Sequence, residues 1–336
     1  MIRYLSLDII REDMKKKSRV LLLIIIVAGL ACAVYVLFAG FPRNRADTGA
    51  DTPAISGETD EQAGIPQHGG TAGHGGTGTQ FDASGISSLW YFDPANSDRY
   101  EAFSARMPGT AMEDIVWMVE ANLDLQPYSG AEPAADPDSL MVLVNKFFYL
   151  PEDYSPSNPV EIDSTMLRKE AADAMEQLIR AAAADGHRLW VQSGYRSFKV
   201  QDSLYEQYSA NDGQEQADTY SARPGHSEHQ TGLAADFNTV TDAFGESPEG
   251  RWAAENSWLY GFINRYTKEN TEITLFRAEP WHFRYIGKEA AAIYRNQGFQ
   301  SYEEFWVKYV KYTPPSGGIP DEQKDGEEES EQSANQ

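Results

Sequence analysis

The chain has very little cysteine: Cys32 is the single one among 336 residues. Cys32 lies within an uncharged apolar run, so the polar remainder of the chain has no thiols for a disulfide or a thiolate zinc site. A metal ion bound there must therefore use histidine and carboxylate ligands. A lipid-modified Cys32 is a competing interpretation, but apolar residues continue beyond it, and a passive cysteine in a helix is simpler.

Positive charge is also scarce, with 28 Lys and Arg against 51 Asp and Glu and a net charge of −23. Because nucleic acids bind basic surfaces, we expect no nucleic-acid partner. Part of the acidity lies in residues 314–336, which we predict to be an acidic disordered tail.

One long apolar run, residues 20–41, stands near the N-terminus. At 1.5 Å per residue, about 22 residues cross a hydrocarbon core of about 30 Å, so we predict a transmembrane helix. Lys and Arg are frequent in residues 1–19, and acids follow the run, which places the basic segment in the cytoplasm. The prediction is a single-pass protein of the cell membrane with its remainder on the extracytoplasmic side. A cleaved signal peptide is the alternative, although its apolar core is shorter.

The rest of the chain divides by composition. Residues 42–82 are rich in Gly, Thr and Ala and are predicted to be a disordered linker in which His68 and His74 are solvated spacers. Aromatic and apolar patterning then begins, and we predict a lead-in subdomain over 83–135 and a main domain over 136–313.

The folded region is predicted to be α+β with a small antiparallel sheet and flanking helices, because helices and short strands occur without regular βαβ alternation. Apolar spacing predicts helices over 110–122 and 164–184. The remaining predictions are strands over 139–150 and 187–197, helices over 198–208 and 257–266, paired strands over 271–276 and 281–287, and a helix over 288–298.

The stretch "RPGHSEHQTGLAADF" contains His229 and Asp236, two residues of the types that bind catalytic zinc. The helical HExxH motif is absent, so a site must be assembled from separate segments. Gly232 suits a turn that lets the backbone approach a metal. "AEPWHFRYIG" offers His282 as a third ligand and Glu279 as a carboxylate beside a metal-bound water. Taken one by one, each residue also has an ordinary interpretation: a core histidine, a turn acid, a surface histidine.

Together, "SGYRS", "PGHSEHQTGLAADF" and "EPWHFRYIG" resemble, in this order, the motifs of the VanY-type D-alanyl-D-alanine carboxypeptidases. These are zinc peptidases, and the family includes LD-carboxypeptidases that act on cell-wall stem peptides. The resemblance spans about residues 141–287 and implies the hedgehog/DD-peptidase-like zinc peptidase fold, with the main domain as the catalytic one.

The resemblance also implies residue roles. It makes His229, Asp236 and His282 the zinc ligands, Glu279 the general base and then acid, and Arg196 the residue that stabilises the oxyanion.

Weaker assignments concern substrate binding. The resemblance places Gln201 and Ser227 at the carboxy-terminal end of the peptide, although Gln201 could cap its helix and Ser227 could brace a turn. Tyr195 and Trp281 could line the substrate groove or serve as packing. His226 is expected to be a neighbour of the site and not a ligand.

The expected function is that of a membrane-anchored zinc carboxypeptidase that removes terminal D-Ala from peptidoglycan stem peptides or their lipid-linked precursor. We expect its catalytic domain to act as a monomer. Alternatives are LD-carboxypeptidase activity on tetrapeptides, endopeptidase cleavage, and a wall-binding module that keeps zinc without catalysis. A degenerate enzyme would be expected to lose Glu279 or Arg196 first, and both are present.

Overall fold

The computed structural model describes residues 85–319. The predicted cytoplasmic segment, transmembrane helix and linker over residues 1–82 lie outside this range, as do residues 320–336 of the predicted acidic tail 314–336. No helix within 85–319 is both long enough and apolar enough to span a bilayer.

Helices and strands follow one another irregularly along the described chain. They are α1 Ser97–Arg106, α2 Met112–Glu120, β1 Glu132–Pro133, β2 Phe148–Tyr149, β3 Pro159–Ile162, β4 Thr165–Arg168, α3 Lys169–Ala184, β5 Val191–Ser193, α4 Phe198–Asp212, α5 Gln214–Ala217, β6 Ala234–Phe237, α6 Ala243–Glu246, α7 Pro248–Asn256, β7 Phe262–Tyr266, α8 Thr271–Thr274, β8 Glu279–Tyr285, α9 Lys288–Gln297 and α10 Tyr302–Trp306. A π-helical turn, Val307–Lys311, continues α10.

The central sheet has the strand order β5-β6-β8-β7, and every neighbouring pair is antiparallel. Two smaller sheets pair β1 with β2 and β3 with β4. The predicted α+β class with a small antiparallel sheet and flanking helices is therefore confirmed for the described residues.

Helix α3 packs its apolar stripe into the core, as its spacing predicted: Ala171, Met175, Leu178 and Ala182 are buried. The helix begins at Lys169 and not at residue 164, because the preceding residues form a hairpin. Asp163 and Ser164 both have positive φ, which is the geometry of a tight two-residue hairpin turn.

The predicted strand over 139–150 is wrong for most of its length, since only Phe148–Tyr149 forms a strand. Asn145 explains the difference: its Oδ1 accepts hydrogen bonds from the backbone amides of Phe147 and Phe148 at 2.9 and 3.0 Å. A side chain that hydrogen-bonds the backbone two and three residues further along makes a turn, and this turn competes with strand pairing.

The predictions over 257–276 are also corrected. Residues 257–266, predicted as a helix, are a short 3-10 turn followed by β7, and residues 271–276, predicted as a strand, contain helix α8. Strand β7 is covered on both faces, so its apolar residues do not alternate and do not show a strand period. As a result, β7 and not residues 271–276 pairs with β8.

The N-terminal helices share the core of the rest. Trp117 of α2 and Val307 of the C-terminal turn are both fully buried in one apolar cluster. The buried carboxylate of Glu120 accepts hydrogen bonds from Tyr312 and Lys311, both at 2.7 Å. The lead-in segment is thereby tied to the C-terminal end, and a subdomain boundary at residue 135 stays a prediction.

Candidate metal centre

The metal-ligand candidates lie on two neighbouring strands and on the turn before one of them. Asp236 of β6 and His282 of β8 are directly opposite each other in the antiparallel ladder. Opposed residues have Cβ atoms about 4.5–5.5 Å apart, so the sheet register brings these side chains together. His229 stands in the 3-10 turn Glu228–Thr231, which leads into β6 through Gly232. Gly232 has a φ of +68°, a conformation that favours glycine.

An irregularity in β8 turns Glu279 toward the same site. Residues three apart in a regular strand point to opposite faces. Here Asn264 pairs with Phe283 while Tyr266 pairs with Glu279, so a four-residue step on β8 matches a two-residue step on β7. The extra residues rotate the strand, and Glu279 Oε2 lies 3.8 Å from His282 Nδ1.

The donor atoms are spaced as a bound cation requires. Asp236 Oδ2 lies 3.3 Å from His229 Nε2, and Asp236 Oδ1 lies 3.3 Å from His282 Nδ1. Tetrahedral zinc with bonds of about 2.0–2.1 Å separates its ligand atoms by about 3.3–3.4 Å. Asp236 Oδ1 is buried and accepts no hydrogen bond from residues 85–319, so its lone pairs are available to a metal. The group therefore fits zinc.

Each imidazole is oriented by a partner on its far side. His229 Nδ1 lies 2.7 Å from the carbonyl oxygen of Gly194, which can only accept, so this nitrogen carries the proton and Nε2 presents a lone pair. His282 Nε2 lies 3.3 Å from Glu228 Oε2, which leaves Nδ1 for the metal. Such partners fix the tautomer and direction of metal-binding histidines.

Gly194 is required for the first of these contacts. A Cβ at this position would lie 2.5 Å from the carbonyl oxygen of Met166 on β4, closer than any side chain tolerates. The amide of Gly194 donates to Thr165 Oγ1 at 3.0 Å. The absence of a side chain thus lets the loop approach β4 and present its carbonyl to His229.

Burial and charge set the ionisation of the carboxylates. Burial alone would raise the pKa of Asp236, but His229 and His282 beside it hold that pKa below its usual range. Burial raises the pKa of Glu279 to about 7, with the Asp236 charge adding to the effect. A carboxylate with a pKa near neutrality is suited to take and return a proton.

A cavity of about 120 Å³ opens over these groups. Its lining includes most of the predicted site residues: Arg196, Gln201, Ser227, His229, Asp236, Glu279, Trp281 and His282. Tyr195 is not among the lining residues. The hydroxyl of Tyr195 lies 3.4 Å from Ser155 Oγ.

Gln201 bridges its helix to a loop and does not cap the helix. Its Nε2 donates to the carbonyl oxygen of Ala222 at 2.6 Å, whereas the helix is capped by Ser197. Gln201 is 2% exposed, and its Oε1 has no hydrogen-bond partner in the described part of the chain. A buried acceptor facing the cavity is available to a polar group of a substrate.

Comparison with known proteins agrees with this geometry. The family model described as VanY, D-alanyl-D-alanine carboxypeptidase, matches residues 164–288. The chain is similar to the putative carboxypeptidase YodJ of Bacillus subtilis, with 37% identity over 56% of this chain and 74% of that protein. The chain belongs to the VanY family. It is a zinc metallo-carboxypeptidase. Among the described residues, His229, Asp236 and His282 form a group that could hold the metal ion.

Two further similar proteins are named for different carboxypeptidase activities. A D-alanyl-D-alanine carboxypeptidase of Enterococcus faecium is 35% identical over 45% of this chain, which spans about half (47%) of that protein. The solved structure of the LdcB LD-carboxypeptidase is 36% identical with a TM-score of 0.51, over 55% of this chain and 93% of that one.

The sequence analysis missed several residues of the site. Glu228, Tyr266 and Arg277 line the cavity of this VanY-type chain, and Glu228 is completely buried. A usable signal was Arg284, a charged residue inside the apolar strand β8, which needs a buried acid as its partner. His226 does not belong to the His-Asp-His group of the described residues, and its Nδ1 lies 2.7 Å from the carbonyl oxygen of Asn145.

Zinc binding should stabilise the fold of the metal-free protein. Zinc at 100 times its dissociation constant contributes about 2.7 kcal/mol. In a domain of this size, that corresponds to a rise in Tm of about 5–10 °C, measured by differential scanning calorimetry. Asp236→Asn should lose most of this rise, because the amide lacks the charge that a metal requires. His226→Gln, a change at the histidine outside the group, should keep it, and equal responses in both variants would contradict the assignment.

Proposed function

We propose that this protein removes the terminal D-Ala from peptidoglycan stem peptides as a D-alanyl-D-alanine carboxypeptidase. The observation that carries the proposal is the convergence of a His-Asp-His group, the carboxylate of Glu279 and the guanidinium of Arg196 on one small cavity. The similarity to the D-alanyl-D-alanine carboxypeptidase of Enterococcus faecium supports this choice of substrate.

Hydrolysis needs a water nucleophile, a base and a proton for the leaving amine. His229, Asp236 and His282 would hold a zinc ion, which would supply a Lewis acid and lower the pKa of a bound water. Glu279 takes a proton as the water oxygen bonds to the scissile carbonyl carbon. Glu279 then delivers that proton to the amine nitrogen as the C–N bond breaks, and D-Ala leaves with a free amino group.

Arg196 supports this reaction by charge. Its guanidinium has no carboxylate within ion-pair distance among residues 85–319, and its backbone amide donates to the carbonyl oxygen of His229 at 3.1 Å. The backbone of Arg196 is thereby tied to the turn that carries His229, and its side chain lines the same cavity as the metal-ligand candidates. A guanidinium in this cavity can stabilise the negative charge that develops on the carbonyl oxygen.

The polar lining of the cavity is suited to a leaving residue with a free terminal carboxylate. Gln201 and Ser227 line the cavity, and Arg277 adds a positive charge that a carboxylate can approach. Requirement for a terminal carboxylate distinguishes an exopeptidase from an endopeptidase.

An LD-carboxypeptidase acting on tetrapeptides is the second candidate, favoured by the similarity to the LdcB structure. Stem pentapeptide and tetrapeptide, incubated with the protein and zinc, separate the two by mass spectrometry. The proposal predicts loss of one alanine from the pentapeptide and slower or no shortening of the tetrapeptide. Preference for the tetrapeptide would establish the LD activity. Cleavage within the stem would indicate an endopeptidase, and binding without shortening would indicate a wall-binding module.

Substitutions at the base and the cation test the mechanism. Glu279→Gln should lower kcat by about 10²–10⁴-fold, because the amide cannot accept the proton. Arg196→Lys should lower kcat by about 10²-fold or more, since a compact ammonium does not reproduce the guanidinium donors. Both variants should keep the zinc-dependent rise in Tm. Full activity of zinc-loaded Glu279→Gln would show that another group is the base.

We extend the proposal to location: residues 20–41 anchor the protein in the cell membrane with the catalytic domain outside. The support is the apolar run and its charged flanks. A linker of about 40 residues gives a reach of roughly 35 Å, which includes nascent wall and lipid-linked precursor. The full chain should remain in the membrane fraction after alkaline carbonate washing and be cleaved by protease added outside intact cells. Release by the wash, or protection from protease, would contradict the anchor or its orientation.

A further inference from the structure

A chain of buried charges connects helix α10 to the metal ligand His282. Arg265 of β7 binds Glu303 of α10 through two hydrogen bonds, Nη2 to Oε1 at 2.6 Å and Nη1 to Oε2 at 3.1 Å. On its other side, Arg265 Nε donates to Glu228 Oε1 at 2.9 Å. Glu228 Oε2 then lies 3.3 Å from His282 Nε2. The side chains of Arg265, Glu228 and Glu303 are completely buried.

The central member, Glu228, divides its two oxygens between two tasks. Oε1 accepts from Arg265 and also from Arg284 Nη1 at 3.2 Å, while Oε2 faces the imidazole of His282. Burial alone would raise the pKa of Glu228, but the two guanidinium groups hold that pKa below its usual range. The carboxylate that meets His282 is therefore fixed in direction by two arginines.

Stability alone does not explain such a network. Removing buried ion pairs in favour of apolar residues is often neutral or stabilising, because desolvation offsets the attraction. The network instead orients the imidazole of the metal-ligand candidate His282. His229 is held by a backbone carbonyl, whereas His282 depends on a side chain for the same purpose.

Helix α10 is itself fixed from several directions. Tyr302 Oη donates to the carbonyl oxygen of Met141 at 2.9 Å, and Asn145 Nδ2 donates to Glu303 Oε1 at 3.1 Å. The turn that continues α10 carries Lys311, whose Nζ lies 2.7 Å from the buried Glu120 Oε2. The N-terminal helices, α10 and the metal centre are thus connected through polar contacts.

From this geometry we infer that Glu228 is a positioning residue for His282, and that Glu303 of α10 acts through Arg265 to set zinc affinity. The inference rests on the zinc site of the proposed function. Outer partners of metal-binding histidines typically change metal affinity by about 10–100-fold when substituted. Glu303 lies two contacts farther out, so its effect is smaller.

The chain offers a matched pair for the test. Glu303 and Glu304 are adjacent buried acids on α10, but Glu304 pairs with Lys308 at 2.6 Å and accepts from the amide of Gln300 at 2.8 Å. Both lose an ion pair on substitution by Gln. Only Glu303 belongs to the chain that reaches His282.

Zinc affinity of the full chain is measured by competition with a chromophoric chelator, without substrate, and Tm of each metal-free variant reports its folding. Glu228→Gln should weaken zinc binding about 10–100-fold. Glu303→Gln should weaken it about 3–10-fold, and Glu304→Gln less than about twofold, at comparable losses of Tm. In the Co²⁺-loaded protein, the visible absorption bands should shift for Glu228→Gln and Glu303→Gln and not for Glu304→Gln.

Glu303→Gln keeps the test decisive if Glu228→Gln does not fold, because Gln retains an oxygen acceptor for Arg265. Equal zinc affinity and equal Co²⁺ spectra in the Glu303 and Glu304 variants would overturn the inference while leaving the zinc site intact. Failure of the unsubstituted protein to bind zinc would overturn the inference together with the site.

Discussion

The register between β6 and β8 is the constraint on which the site depends. It places Asp236 opposite His282, and a slip of one residue would turn one of these side chains to the other face of the sheet. The backbone amide of Tyr285 also donates to the carbonyl oxygen of Leu233 at 2.8 Å, which extends this pairing beyond the ligands. Regular strand pairing therefore positions two of the three candidate metal ligands.

The remaining groups reach this pair through local departures from regularity. A left-handed Gly232 follows the turn that carries His229, Gly194 lets its loop approach β4, and the irregular step in β8 turns Glu279 toward the metal ligands. Each departure brings one polar group to a place where regular strands would not. The regular strands fix the positions of Asp236 and His282, and the irregular turns and the step in β8 bring the other polar groups to them.

Much of the site was predictable because its residue types are those that zinc hydrolysis needs. Histidine, aspartate and a carboxylate base stand in recognisable motifs, and the antiparallel sheet followed from short strands without βαβ alternation. Helix α3 was predictable because its apolar stripe is uninterrupted. The roles assigned to Gln201 and Ser227 stay predictions, although both line the cavity.

Other features depend on contacts that no local pattern contains. Strand β7 is buried on both faces and has no alternating period. In the sequence, Glu228 has no feature that distinguishes it from a surface acid. In the structure it is buried and forms ion pairs with Arg265 and Arg284. In each case the decisive partner comes from a distant part of the chain.

A zinc titration of the metal-free protein tests the central claim most directly. D-Ala released from a stem pentapeptide is followed as Zn²⁺ is added. The account predicts that the rate rises with zinc and stops rising at about one equivalent, as expected for a catalytic site with one ion. A rate that is independent of zinc, or no release from protein with zinc bound at His229, Asp236 and His282, would contradict it.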